Sequence, residues 1–142
     1  MQSTEPQVAS RAQHTGRILL GLFLAYAGCS HLFWARHEFL AQVPSWLPLQ
    51  ADLVVVLSGF VEIALGLGLL FLVRRRIFLG FAAALFFVLI FPGNIAQYVE
   101  HRNGFNLNTD AARLTRLFFQ PLLVWWALGS TGALARLRSM RR

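Results

Sequence analysis

The sequence has no lysine and little charge of either sign. Of its 142 residues, 13% are charged and 56% are hydrophobic, and all 13 basic residues are arginines. A soluble domain of this length carries roughly twice that charged fraction. The composition therefore excludes an ordinary soluble domain and indicates a small membrane protein with a single domain.

The chain also lacks the residues that most metal and redox sites require. A single cysteine, Cys29, excludes an intrachain disulfide and a self-contained dithiol redox centre. No nucleotide-binding loop, catalytic triad or haem-attachment motif is present. One histidine and one glutamate within apolar segments do not make a convincing metal site, so no metal is predicted.

Four apolar segments are long enough to cross a bilayer as helices, for which about 20 residues suffice. They cover residues 17–35, 52–73, 77–99 and 114–134. The predicted fold class is all-α membrane, a bundle of four transmembrane helices over residues 17–135. Residues 1–16 are expected to be a disordered, partly helical cytoplasmic tail, and residues 136–142 a basic cytoplasmic tail.

The arginines indicate the orientation of the bundle. Nine fall on the side that holds both termini, and four fall on the other side. The positive-inside rule then places both termini in the cytoplasm of a multi-pass protein in a bacterial-type inner, or plasma, membrane. The net charge of +7 alone could suggest a nucleic-acid partner, but the arginines lie mainly at the ends of apolar runs, so no such partner is predicted. A lipoprotein signal ending at Cys29 is disfavoured, since three more spans follow it.

Glu62 lies near the middle of the second segment, where a carboxylate facing lipid would cost a few kcal/mol. In the first three segments, polar residues share a face with the small residues, which is the face expected to contact other helices. In the fourth segment, Arg113, Arg116 and Gln120 lie on one face. By helical rise, these residues fall in the half of the bundle away from the cytoplasm. The predicted pocket residues are His31, Glu62, Asn94, Gln97, Arg116 and Gln120.

The residues leave two states open for Glu62. In the first state it is ionised and paired with Arg116 or with a protonated His31, and pairing with Arg116 is favoured. Otherwise it is neutral and donates a hydrogen bond to Asn94 or Gln120, which would make it a candidate proton carrier. His31 is correspondingly either a satisfied polar residue or a ligand contact and proton relay.

The two outer connections carry weaker signals. In residues 36–50, apolar residues follow a helical period that Pro44 and Pro48 interrupt. This pattern predicts a short amphipathic segment that covers the mouth of the bundle, with an ordinary interfacial loop as the alternative. Thr109 or Asp110 is expected to cap the last helix.

Five short motifs in order resemble the DoxX family. They are Gly28-Cys-Ser-His31, Pro44-Ser-Trp-Leu-Pro48, Ser58-Gly59-Phe-Val-Glu62, Phe91-Pro-Gly-Asn94-Ile and Arg116-Leu-Phe-Phe-Gln120. The family's usual proline two residues after the arginine is Phe118 here, and Pro121 follows the glutamine instead. The resemblance implies a small four-helix membrane protein associated with a redox system, and it implies no particular reaction.

These observations favour a non-catalytic role over an enzyme. The leading hypothesis is an accessory or binding subunit that holds a quinone-like or lipid-like molecule, with a quinone as the candidate cofactor. The expected partners are the lipid bilayer and a membrane or peripheral oxidoreductase. The alternatives are an isomerase-like enzyme that uses Glu62 and His31 as an acid–base pair, and a structural scaffold.

Overall fold

A computed structural model describes residues 8–142, and this part of the chain is helical with no β-strand. Its helices are α1 (Arg11–Phe33), α2 (Arg36–Leu40), α3 (Ala51–Phe71), α4 (Arg76–Val99), α5 (Asp110–Thr131) and α6 (Ala133–Met140). A 3₁₀ turn, Val73–Arg75, joins α3 to α4. Residues 1–7 of the predicted tail lie outside the described residues.

Three stretches are long and apolar enough to cross a membrane: Arg11–Phe33, Ala51–Phe71 and Val73–Val99. The helices α5 and α6 meet the same criterion only as a pair, and this pair is bent by 85°. Arg113, Arg116 and Gln120 make the first half of α5 more polar than the other long helices. A helical protein with several helices of membrane-spanning length, as predicted, is therefore confirmed.

Capping side chains set two helix starts. The Ser10 hydroxyl accepts a bond from the Gln13 N–H, and the Gln13 side chain accepts one from the Ser10 N–H. This capping box starts α1 at Arg11, so the predicted tail over residues 1–16 is corrected at its end. At α5, the Thr109 side chain accepts a backbone hydrogen bond, which confirms Thr109 as a cap.

The end of the last long helix also differs from the prediction. Gly132 has a φ of 84°, in the left-handed region that glycine adopts most readily, and it ends α5 at Thr131. The predicted span over 114–134 is therefore shortened at this end. Residues 136–142, predicted as a tail, belong mostly to α6, which ends at Met140.

The closest helix contact lies between α1 and α3. A Cβ atom added at Gly28 would lie 2.5 Å from the Gly59 carbonyl oxygen, and one added at Gly59 would lie 2.8 Å from the His31 Cβ. Backbones approach this closely only where both helices lack side chains. Since His31 follows Gly28 by one turn, this contact holds the imidazole directly against α3.

Below this contact, α1, α3, α4 and α5 share an apolar core that includes the buried residues Leu20, Leu24, Leu69, Phe87 and Ala127. Arg17, counted above among the topology charges, is buried beside this core with only 4% of its surface exposed. Its guanidinium donates to the carbonyls of Leu69 and Leu70 at the end of α3. Arg17 therefore satisfies carbonyls that a helix end leaves without partners.

At the opposite end, the α1–α3 connection, residues 34–50, folds over the bundle and is called the lid below. The Ser45 hydroxyl donates to the Glu100 carboxylate at 2.7 Å, and the Arg102 guanidinium donates to the Val43 carbonyl at 2.7 Å. Arg102 and Glu100 also form an ion pair at 2.6 Å. The lid is thus tied to the α4–α5 connection by polar contacts.

The substitution Gly28→Ala should lower the free energy of unfolding by about 1–3 kcal/mol, since its methyl group has no room beside the Gly59 carbonyl. Unfolding by sodium dodecyl sulfate in mixed micelles, followed by circular dichroism, measures the change. Gly129→Ala is the control, because a Cβ atom there meets nothing within 4 Å. Equal stability of the Gly28→Ala variant and the natural protein would contradict the close contact.

Glu100→Gln should loosen the lid. The hydrogen bond from Ser45, supported by the charge of Arg102, holds the pKa of the Glu100 carboxyl below its usual range. The carboxylate's contribution is therefore complete at neutral pH and is lost as the pH falls through the lowered pKa. Amide hydrogen exchange over residues 41–47 at pH 7 should accelerate by less than about tenfold, because exposed charges contribute little.

Asp52→Asn is the control for this measurement. It removes another carboxylate on the same outer surface, whose partner Arg36 lies at the start of the lid, outside residues 41–47. Exchange that is equally fast in both variants would mean that the Glu100 contacts do not hold the lid.

Candidate functional site

A cavity of about 510 Å³ lies between α1, α3, α4 and α5 beneath the lid. Sites for small molecules typically have volumes of about 300–1,000 Å³. Most of the wall is apolar, and its aromatic residues include Phe23, Phe39, Trp46, Phe86, Phe87 and Phe105. Its polar lining residues include His31, Ser58, Glu62, Arg116 and Gln120. The cavity therefore combines an apolar interior with a small group of polar side chains.

His31 and Glu62 face each other on this wall. The His31 Nε2 atom lies 3.3 Å from the Glu62 Oε2 atom, and the two residues are only 6% and 5% exposed. The favoured pairing of Glu62 with Arg116 was wrong. Within residues 8–142 the Arg116 guanidinium makes no ion pair within 4 Å, although its charge still acts on Glu62. The close approach of α1 to α3 explains the choice of partner, because it brings His31 nearer.

The contacts of the other imidazole nitrogen, Nδ1, show which nitrogen of His31 carries a hydrogen. The Ser58 hydroxyl donates to the Val55 carbonyl at 2.9 Å, so its oxygen is left to accept. The His31 Nδ1 atom lies 3.0 Å from that oxygen and 3.1 Å from the Val55 carbonyl oxygen. Because both atoms accept, Nδ1 carries a hydrogen.

With Nδ1 protonated, Nε2 of a neutral His31 presents a lone pair to Glu62. The buried Oε2 atom has no hydrogen-bond partner among the described residues, so the contact is not a hydrogen bond. Because two lone pairs at 3.3 Å would repel each other, one of the two groups carries a proton. The pair is then either imidazolium with carboxylate or imidazole with carboxylic acid. Its total charge is zero in both states.

Two aromatic rings cover this pair on the lid side. The Phe39 ring centroid lies 3.4 Å from that of His31, and the Phe105 centroid lies 4.6 Å from that of Phe39. Phe105 has a φ of 53°, an uncommon value for a bulky residue, and its N–H donates to the Glu38 carboxylate. The predicted covering of the bundle mouth by residues 36–50 is confirmed by these contacts and by the lid residues that line the cavity.

Gln120 belongs to a second polar group. The Asn94 amide donates to the Gln120 Oε1 atom at 2.9 Å, and the Gln120 amide donates to the Phe87 carbonyl at 2.6 Å. In α4, Pro92 removes the N–H that would otherwise bond to the Val88 carbonyl, next to this contact. In the described chain neither amide forms the expected hydrogen bond with Glu62.

Four of the six predicted pocket residues line the cavity, and two do not. His31, Glu62, Arg116 and Gln120 line the cavity, whereas Asn94 and Gln97 are buried behind its wall. The Gln97 side chain bonds to that of Gln42 at 3.3 Å and lies within hydrogen-bond distance of two loop carbonyls. Gln97 therefore supports the lid and does not contact the interior of the cavity.

Two residues of the site were missed. Ser58, which orients the imidazole, lies four residues before Glu62, a spacing that places both on one helix face. This spacing was a usable signal. Phe39 covers the imidazole from a connection whose path the sequence did not specify, so no comparable signal existed for it.

Similarity to known proteins is narrow. No curated protein and no solved structure matches the chain significantly. The resemblance to the DoxX family has no support from these comparisons and stays a prediction. One family model, described as a domain of unknown function (DUF8561), matches residues 20–131, which include all four long helices in whole or in large part. The chain therefore belongs to the DUF8561 family.

Proposed function

We propose that the protein is a four-span, multi-pass protein of a bacterial-type inner membrane, with both termini in the cytoplasm. Large apolar side chains point outward from three of its long helices, with Phe60 58%, Phe78 68% and Trp125 66% exposed. Such surfaces suit contact with lipid. The bias of arginine towards the end that holds both termini supports the orientation. In this arrangement α5 is the fourth span.

We further propose that the cavity binds a quinone-like or lipid-like small molecule. The observation that carries this proposal is a cavity of about 510 Å³ whose polar residues, His31 and Glu62 among them, stand in an otherwise apolar wall. The polar group can bond to a ligand's head, and the aromatic wall can hold its apolar part. The protein would serve as a non-catalytic, accessory subunit of a redox system. The redox association, and with it an oxidoreductase partner, rests on the resemblance to the DoxX family.

Purified protein should bind a benzoquinone with an alkyl tail saturably, as measured by quenching of tryptophan fluorescence. Glu62→Ala and His31→Ala should each weaken binding by about tenfold or more, because each leaves a buried polar partner unsatisfied. Asp52→Asn, an exposed carboxylate on the same helix, is the control and should bind normally. Unchanged affinity in both pocket variants would leave the pair a purely structural role.

The contact between His31 and Glu62 favours one second candidate, an acid–base enzyme acting on a membrane-soluble substrate. Of two such groups at a cavity wall, the one that carries a proton can deliver it to one atom of a substrate, and the other can take a proton from a second atom. This is the chemistry of a double-bond isomerase.

Incubation with a panel of sterol and lipid alkenes tests this candidate. Turnover should show a bell-shaped pH profile and fall by about a hundredfold or more in Glu62→Gln. A flat pH profile, or no turnover across the panel, would count against an enzyme. The binding function would be unaffected by either result.

A further inference from the structure

Two arginines one turn apart on α5 have very different surroundings. Each guanidinium nitrogen of Arg113 donates a hydrogen bond: to the Arg102 carbonyl at 3.0 Å, to Asp110 at 2.7 Å and to Asn103 at 2.6 Å. Arg116 has no hydrogen bond or ion pair with any residue from 8 to 142, yet it lines the cavity. Its five N–H donors are therefore open to a ligand.

Arg116 also leaves the cavity with an uncompensated charge. Apart from the phenol of Tyr26, its ionisable wall residues are His31, Glu62 and Arg116. One of the other two carries the proton of the pair, and the charges of His31 and Glu62 sum to zero in either state. The guanidinium keeps its proton in proteins, so the wall carries one net positive charge.

The position of Arg116 suits the head group of a ligand. Together with Leu107, it lines a second, more open depression of about 380 Å³ whose other residues include Thr115 and Phe119 of α5. Arg116 thus stands where the cavity approaches the outer surface of α5. A molecule with its head at Arg116 would extend its apolar part towards Phe86 and Phe87 in the cavity wall.

We propose that the ligand of this cavity is an anionic amphiphile, a molecule with one negatively charged head and an apolar chain. A partly buried guanidinium is stabilised by a carboxylate or phosphate oxygen far more than by a neutral carbonyl, and it bonds to such heads through two N–H groups. This inference rests on the proposed binding function and selects the charged, lipid-like class over a neutral quinone.

A dansyl-labelled long-chain carboxylic acid and its methyl ester test the proposal as a matched pair. Energy transfer from tryptophan to dansyl reports binding to the full-length protein in an uncharged detergent. Trp46 lies in the cavity wall and is a suitable donor. Saturation at about one probe per protein separates site binding from partition into micelles. The acid should bind at least about tenfold more tightly than the ester, which corresponds to about 1.4 kcal/mol.

Three variants test whether the charge of Arg116 causes the preference for the acid over the ester. Arg116→Gln should abolish the preference for the acid over the ester, while Arg116→Lys should retain most of the preference. Arg36→Gln is the control with the same loss of charge, since Arg36 is an exposed arginine outside the cavity wall. If Arg116→Gln does not fold, the comparison of acid with ester on the natural protein still decides the question.

The outcomes separate this inference from the function on which it rests. Equal, saturable binding of acid and ester would overturn the anionic class and leave a binding function intact. No saturable binding of either probe would overturn both. Oleate and phosphatidylglycerol, used as competitors, distinguish the source of the anion: displacement by oleate indicates a free carboxylate, and displacement by phosphatidylglycerol alone indicates a membrane phospholipid.

Discussion

The close approach of α1 to α3 is the constraint on which the site depends. Gly28 and Gly59 let the two backbones meet, and the imidazole of the next turn is then held against α3, where Val55 and Ser58 bond to it. This placement sets the tautomer, and the tautomer leaves the Nε2 atom facing the Glu62 carboxyl group. A larger residue at either glycine would move the imidazole and change the chemistry of the cavity wall. The protonation of the buried pair therefore depends on how the two helices pack.

The sequence alone identified much of the site because buried polar residues are rare in apolar helices. His31, Glu62, Arg116 and Gln120 stood out against their surroundings, and helical periodicity placed them on inward faces at similar depth. The structure groups all of them on one cavity. The physical basis of this success is the solvation cost of a polar side chain in hydrocarbon, which acts on each residue separately and is therefore readable without a partner.

The sequence did not show which of these side chains would contact one another. The pairing of Glu62 with Arg116 was expected from charge, yet the close helix contact places His31 nearer. Gln97 shares a helix face and a depth with the pocket residues, but it bonds to the lid and not to the cavity. Which of several neighbours meets a side chain depends on helix rotation of a fraction of a turn and on the path of the connections. Periodicity along a single helix contains neither quantity.

The left-handed residue at Gly132 has a consequence for the C-terminal end of the chain. With 22 residues, α5 is about 33 Å long, which by itself matches the thickness of a hydrocarbon layer. In the proposed four-span arrangement, the residues after the bend are not needed to complete a crossing. Because α6 turns aside by 85°, its arginines are presented sideways along the base of the bundle and do not project away from it. The last segment of the chain thus broadens the end of the bundle opposite the lid, where it carries Arg136 and Arg138.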